Sequence, residues 1–218
     1  MQTRIRRAAV VVAAAALLPL GLTACSDSDS KDKDKASDSA SDTASKGSDE
    51  TGPSKDTDSM NEPFGSGCSS VPKDGKGSFD GMAKDPVATA ASHNPALSTL
   101  VTAVKKAGLV DTLNSAKDIT VFAPTNDAFD KIPKADLDKV LNDKAQLTKI
   151  LTYHVVGKQL APEDLQNGSF PTLEKSKLTT SGSGESFKVN DNAQVVCGNV
   201  KTANANVYII DTVLMPKS

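Results

Sequence analysis

Few side chains in this sequence are equipped for chemistry. Two histidines (His93, His154), three cysteines (Cys25, Cys68, Cys197) and two tyrosines (Tyr153, Tyr208) are the only residues of those types among 218. His154, beside Tyr153, has the imidazole of a general base or metal ligand, because that ring changes charge near neutrality. A metal centre needs several ligands at recurring short spacings, yet neither Cys-x-x-Cys nor His-x-x-x-His occurs. There is no Gly-x-Ser-x-Gly elbow, phosphate-binding loop or dinucleotide fingerprint. Arg4, Arg6 and Arg7 are the only arginines, so the rest of the chain lacks the planar fork that grips phosphate or carboxylate bidentately. The expectation is no catalytic residue, no metal and no cofactor. Asp211 interrupts an apolar run and would need hydrogen-bond partners if buried. Hydroxyl and backbone N–H groups near Thr125 and Asn126 are the candidates, giving Asp211 a structural role.

The elements that must position these residues occupy only part of the chain. Residues 1–24 read as a signal peptide: the arginines precede an apolar stretch from Ala8 to Leu22 that is too short to span a membrane comfortably. Leu22-Thr23-Ala24-Cys25 follows and resembles the bacterial lipobox, which implies lipidation of Cys25 and attachment to a membrane through that lipid; simple cleavage after Ala24 is the alternative. Residues 25–60 read as a disordered tether. Positions 26–60 hold ten Ser and nine Asp, with a net charge of −5, and too little apolar surface to offset the entropy of ordering. As a coil this segment reaches roughly 30 Å. Residues 61–218 carry every aromatic residue, 17 acidic and 17 basic groups, and are the size of one ordinary domain. A neutral domain without arginine is a poor electrostatic match for nucleic acid.

Within that domain, Gly65–Gly81 reads as a loop. Val87–Ser92 reads as helix, and Asn94-Pro95 as a cap with proline at the first helical position. Leu97, Leu100, Val101 and Val104 then form an apolar helical stripe that ends at Gly108. Ile119–Ala123 reads as a buried strand and Pro124-Thr125 as the corner into a helix carrying Ala128, Phe129 and Ile132, with Thr125 and Asn126 able to satisfy helix-start N–H groups. Two further short helices carry Leu137, Val140, Leu141 and Leu147, Ile150, Leu151. Strands follow at Tyr153–Val156, Leu173, Leu178–Thr180, Phe187–Val189, Gln194–Cys197, Asn199–Thr202 and Val207–Leu214, with Asn167-Gly168 as a turn. Helices first and strands second, without a βαβ rhythm, predict an α+β fold with a largely antiparallel sheet. In the last strand Val207, Ile209, Asp211 and Val213 share one face, and Tyr208, Ile210, Thr212 and Leu214 the other.

Three segments carry a family resemblance. Phe122-Ala123-Pro124-Thr125-Asn126-Asp127-Ala128-Phe129 resembles the first signature box of the fasciclin (FAS1) domain. Tyr153-His154-Val155-Val156 resembles its Tyr-His box, and the run from Val207 to Pro216 resembles its second box. The likeness covers about Met82 to Pro216. It is closer to the single-fasciclin, secreted or lipid-anchored antigens of mycobacteria, through Gly67-Cys68, Asp85-Pro86-Val87-Ala88, Ala91-Ser92-His93-Asn94-Pro95 and Val195-Val196-Cys197-Gly198. The resemblance implies a β-sandwich or wedge with several short helices, a core hydrogen bond for His154, and a Cys68–Cys197 disulfide. Export to an oxidising compartment also favours that pairing; two free structural thiols are the alternative.

The resemblance further implies a membrane-anchored extracellular adhesion or interaction module without enzymatic activity, displayed on the outer face of a bacterial membrane. Its contact surface is expected around Tyr153, His154, Asn167 and Tyr208. A binding lipoprotein for a small ligand, glycan or lipid of the envelope is the alternative. Family members that bind integrins carry a short acidic motif before the final strand. Ala203-Asn204-Ala205-Asn206 stands there in this chain, so integrin binding is not carried over and the partner is an unidentified extracellular protein, glycan or lipid.

Overall fold

Two strands that are apolar along their whole length form the middle of the molecule. In the computed structural model, which describes residues 62–216, β1 (Ile119–Pro124) lies parallel to β7 (Ala205–Ile210), with Ile119 opposite Ala205 and Pro124 opposite Ile210. Every residue of both strands is buried, because both faces of this parallel pair are covered. The remaining strands are β2 (Val155–Val156), β3 (Asn167–Pro171), β4 (Lys177–Ser183), β5 (Ser186–Val189) and β6 (Ala193–Lys201). They complete a seven-stranded sheet in the order β2-β1-β7-β6-β5-β4-β3. Every pairing except β1–β7 is antiparallel. The outer strands curl toward each other: Val156 bridges Thr172, and the Leu173 N–H donates to the Val155 carbonyl at 2.8 Å. The sheet is therefore close to a barrel.

The helices are α1 (Phe79–Met82), α2 (Val87–Ser92), α3 (Ser98–Ala107), α4 (Val110–Ser115), α5 (Asn126–Asp130), α6 (Lys134–Asn142) and α7 (Lys144–Tyr153). Alternation along the strands gives two cores. Ile119, Val121, Val207 and Ile209 pack with the helices, together with Leu100, Val104, Leu147 and Ile150. Phe122, Tyr208 and Ile210 point the other way, into a second cluster with Leu160, Leu178, Phe187 and Val189. Phe122 stacks on Tyr208 with ring centroids 5.8 Å apart, an arrangement that adds to the area each ring buries.

The structure corrects several expected elements. Tyr153 and His154 are not in a strand: α7 runs through Tyr153 and His154 closes it, leaving Val155–Val156 as strand. The apolar spacing Leu147, Ile150, Leu151 extends one further turn to Tyr153, and the two valines hide that helical continuation. Asn167-Gly168 begins β3 rather than forming a turn, and Leu173 lies beyond that strand. Gln194–Cys197 and Asn199–Thr202 are one strand with register shifts between Val195, Cys197 and Val200. The irregularity accommodates Asn199 at φ 58° and brings Gly198 against the Phe64 ring, where a Cβ would lie 2.2 Å from a ring carbon. The last strand spans Ala205–Ile210 instead of Val207–Leu214. The Gly65–Gly81 stretch holds a 3-10 turn, Ser66–Ser70, and most of α1.

Candidate functional site

His154 is 2% exposed, and both its nitrogens are occupied. Its Nε2 lies 2.9 Å from the Leu214 backbone N–H, which can only donate, so Nε2 accepts. The proton therefore sits on Nδ1, which donates to the Ile150 carbonyl at 2.9 Å. Burial lowers the imidazole pKa from its ordinary 6.5 to about 4, against a smaller upward pull from the Ile150 carbonyl. His154 is thus a neutral clasp between the end of α7 and the segment after β7. With neither nitrogen free, it has no lone pair for a base or a metal.

The two tyrosines are turned inward as well. The Tyr153 hydroxyl donates to the Lys177 carbonyl at 3.2 Å and accepts from the Asn190 Nδ2 at 2.8 Å. Tyr208, fully buried, donates to the Leu160 carbonyl at 3.0 Å and accepts from Asn206 Nδ2 at 3.2 Å. Its pKa is pushed up, chiefly by burial and then by the Asp164 and Glu163 charges. Tyr153, His154 and Tyr208 therefore cannot touch a partner directly in this fold. Asn167, the fourth residue expected in the contact surface, is exposed on β3, where it pairs with Ser181.

Thr125, Asn126 and Asp211 meet at one cleft, beside Val71, Val196 and Ile209. Thr125 Oγ1 accepts from the Ala128 N–H at 3.2 Å and so caps α5. Asn126 reaches across to the start of α3: its Oδ1 accepts from the Thr99 N–H at 3.0 Å, and its Nδ2 donates to the Pro95 carbonyl at 2.9 Å. The carboxylate of Asp211 does not use Thr125 or Asn126. Its Oδ1 accepts from the Gln194 N–H at 2.8 Å and the Thr212 hydroxyl at 3.0 Å, and its Oδ2 lies 3.1 Å from Lys131 Nζ. Partial burial pushes the Asp211 pKa up, but these three donors outweigh it and hold the carboxyl below its ordinary value. Together with Asp127, Lys131 and Ser70 these residues line an open cleft of about 360 Å³.

Cys68 and Cys197 form a disulfide that ties the Ser66–Ser70 turn to β6 across a sequence separation of 129. Cys25 and the segments expected to be a signal peptide and a tether lie outside the described residues. Among the described residues no group of three or more His, Cys, Asp or Glu is arranged to hold a metal ion.

Asparagines do structural work that residue type alone did not disclose. Asn204 accepts from the Val87 N–H at 2.8 Å and donates to the Leu113 and Ala116 carbonyls at 2.8 and 2.7 Å. Asn114 accepts from the Ala88 N–H at 3.0 Å. These two side chains cap α2 from a distance, since Pro86 at its N-cap supplies no side-chain acceptor. Asn206 donates to the Leu160 carbonyl and to Asn199. The one sequence signal was the placement of Asn204 and Asn206 at the entry to an otherwise apolar strand.

A two-core α+β domain with the Thr125–Asp127 corner set against the end of its last strand defines the class. The chain belongs to the fasciclin family: the fasciclin domain profile matches residues 95–216, more than half of its length. It is 53% identical over 147 residues to the cell surface glycolipoprotein MPB83 of Mycobacterium bovis, covering 65% of this chain and 66% of that relative. It is 51% identical over 147 residues to the immunogenic protein MPB70 of the same species, covering 65% of this chain and 75% of that relative. A FAS1 domain pair from the insect cell adhesion molecule fasciclin I aligns with a TM-score of 0.46 at 24% identity, over 56% of this chain and 45% of that one.

Proposed function

We propose that this chain is a membrane-anchored extracellular lipoprotein whose fasciclin domain acts as a non-enzymatic adhesion or interaction module at the cell surface. One observation carries the reading: the groups best suited to catalysis, His154, Tyr153 and Tyr208, are fully engaged in internal hydrogen bonds. One surface the domain offers to solvent is the cleft where Asn126, Asp127, Lys131 and Asp211 join an apolar floor that includes Val71, Val196 and Ile209. Tyr153, His154 and Tyr208 are buried, so Asn167 is the member of that group able to touch a partner. The name of MPB83, a cell surface glycolipoprotein, agrees with this location. Cys25 supplies the lipid attachment and the Ser/Asp-rich segment the reach. Asn204 and Asn206 face inward and serve the fold, which further discourages integrin recognition at that position. The partner is an extracellular protein, glycan or lipid.

The test is affinity capture from envelope and extracellular extracts on the full chain, beside Lys131→Glu, Asp127→Lys and Asn167→Asp. The expected result is a partner retained by the parent chain and lost, about tenfold or more, by at least one variant. A captured partner indifferent to all three moves the contact surface off this cleft and off β3. Mass spectrometry of the processed protein should find diacylglycerol on Cys25; an unmodified thiol there rejects the anchor.

A second reading, a binding lipoprotein for a small envelope ligand, is favoured by a separate observation. An apolar cavity of about 150 Å³ lies between α2, α3 and α4 and the β1–β7 pair.

A further inference from the structure

One wall of the cleft at Asp211 comes from the arm of residues 64–71, through Gly67, Ser70 and Val71, and Val196 of β6 lies beside it. Both ends of this arm are anchored in the fold. Phe64 pairs with Gly198, donating to its carbonyl at 3.1 Å and accepting from its N–H at 2.8 Å. The Phe64 ring packs edge-on against Phe187 with centroids 5.5 Å apart. Val71, at the other end, is buried in the helix-side core.

The stretch between these anchors has no comparable hold. Among the described residues, the hydrogen bonds of residues 65–70 stay inside the arm. The Cys68 N–H donates to the Gly65 carbonyl and the Val71 N–H to the Cys68 carbonyl, each at 3.1 Å, and the Ser69 hydroxyl donates to the Ser66 carbonyl at 2.9 Å. The Ser66–Ser70 turn buries none of its residues, and Cys68 is its only apolar side chain. Gly67 lies so close to β6 that a Cβ there would come within 2.9 Å of the Val196 side chain. The turn therefore meets the strand through backbone contact, and the Cys68–Cys197 bond is its one strong tie to β6. β6 is itself irregular there, with register shifts against β7 on both sides of Cys197. Few buried contacts and no external hydrogen bonds put a segment at the low-stability end of a fold. The two sulfurs also differ in access: Cys197 is fully buried and Cys68 half-buried, so a reductant approaches from the Cys68 side.

We propose that the Cys68–Cys197 bond is a redox latch on the cleft. Oxidised, it sets the Ser66–Ser70 wall against Val196; reduced by a dithiol, it frees that wall while Phe64, Val71 and both cores stay in place. The latch rests on the reading of this cleft as the contact surface and adds its regulation: the oxidised chain holds the partner and the reduced chain releases it. One thiolate of the dithiol attacks Cys68 Sγ, the S–S bond breaks, and Cys197 leaves as a thiolate that takes up a proton. The second thiolate then attacks the reductant's own sulfur in the mixed disulfide and expels Cys68, which is protonated in turn. The protein disulfide gains two electrons and two protons, and the dithiol becomes a disulfide.

The test is amide hydrogen exchange followed by NMR on the full chain, before and after reduction with dithiothreitol, with the Cys68 and Cys197 thiols counted by alkylation and mass spectrometry. Reduction should raise the exchange rates of the Cys68 and Val71 amides about tenfold or more, shift the Gly67, Ser70 and Val196 resonances, and leave the β1 and β7 amides protected. Reoxidation should restore the first spectrum. Cys68→Ser together with Cys197→Ser should reproduce the reduced spectrum; where that variant does not fold, the reduced parent chain decides the matter. Turn amides that stay protected once both thiols are free overturn the latch, because the turn is then held without the bond. Loss of protection throughout β1 and β7 also overturns it, since the bond is then a staple of the whole domain, as does a bond that dithiothreitol opens only in urea. Envelope extract is the probe for the regulation: a band lost with the cleft variants Lys131→Glu or Asp127→Lys should also fall about tenfold or more on the reduced chain. If the turn opens and that band stays, the regulation is wrong. If no band responds to the cleft variants, the contact-surface reading fails, and the exchange rates still report on the latch itself.

Discussion

Protonating His154 should unlatch the fold, and the pH window in which this happens separates it from the carboxylates. The unfolded chain takes up a proton on this imidazole near pH 6.5, whereas burial keeps the folded chain from doing so until about pH 4. Between those values the unfolded state binds more protons, so stability rises with pH. The contribution is intact above pH 6.5, declines as pH falls toward 4, and declines no further once both states are protonated. At about 1.4 kcal/mol per pH unit, the whole loss amounts to about 3 kcal/mol, a large fraction of the stability of an ordinary domain. Urea unfolding followed by far-UV circular dichroism at half-unit steps from pH 7.5 to 4 measures it, with the disulfide intact. The control is His154→Gln, whose amide oxygen can accept the Leu214 N–H but leaves the Ile150 carbonyl without its donor, at about 1–3 kcal/mol. The parent-minus-variant difference should be largest at pH 7 and fall by about 3 kcal/mol toward pH 4, reaching zero or reversing sign there. A difference that stays constant across the window, or an NMR titration placing folded His154 near pH 6.5, would refute the assignment of a neutral, doubly engaged ring.

Further outcomes follow from the cleft, the clasp and the caps. Asp211→Ala strands the Gln194 N–H and should cost about 1–3 kcal/mol in urea unfolding. Because its folded pKa is held low, the Asp211 contribution is full above the ordinary carboxylate value and lost only as pH falls below about 4, outside the His154 window. Replacing Cys68 and Cys197 together by Ala frees a long loop of the unfolded chain and should lower stability by up to about 5 kcal/mol on the chain-entropy account; equal urea midpoints with and without reductant in the parent protein would count against the bridge. Asn204→Ala removes the remote cap of α2 and should lower the melting temperature, consistent with about 1–2 kcal/mol for a lost helix cap. Hydrogen exchange should localise that change to α2 and the Leu113–Ala116 segment.

The layered pattern of the fold was legible because it depends on local periodicity. The stripe from Leu97 to Val104 gave α3, and the alternation of Val207 and Ile209 against Tyr208 and Ile210 gave the two faces of β7. Non-local pairing left no such trace. The parallel contact of β1 with β7 joins strands more than 80 residues apart, and nothing in either run distinguishes a parallel partner from an antiparallel one. Tyr153-His154 misled for a related reason. β-branched Val155 and Val156 raise strand propensity over the whole tetrapeptide, while the burial of Tyr153 against Lys177 and Asn190 keeps it in the helix.

The polar residues show where residue type stops being informative about role. Thr125 sits directly before a helix, and its cap follows from local geometry alone. Asp211 was expected to need partners, and it has them: the adjacent Thr212, and Gln194 and Lys131 on segments whose proximity depends on the tertiary fold. Asn94 was legible as a cap through its Oδ1. The unpartnered Nδ2 became visible only once the surrounding elements buried it. An amide has an acceptor and two donors at one end of a short side chain, and sequence spacing accounts for only one of these. The groups left over after local capping, here the Asn94 Nδ2, are therefore the ones that residue type and spacing leave unassigned.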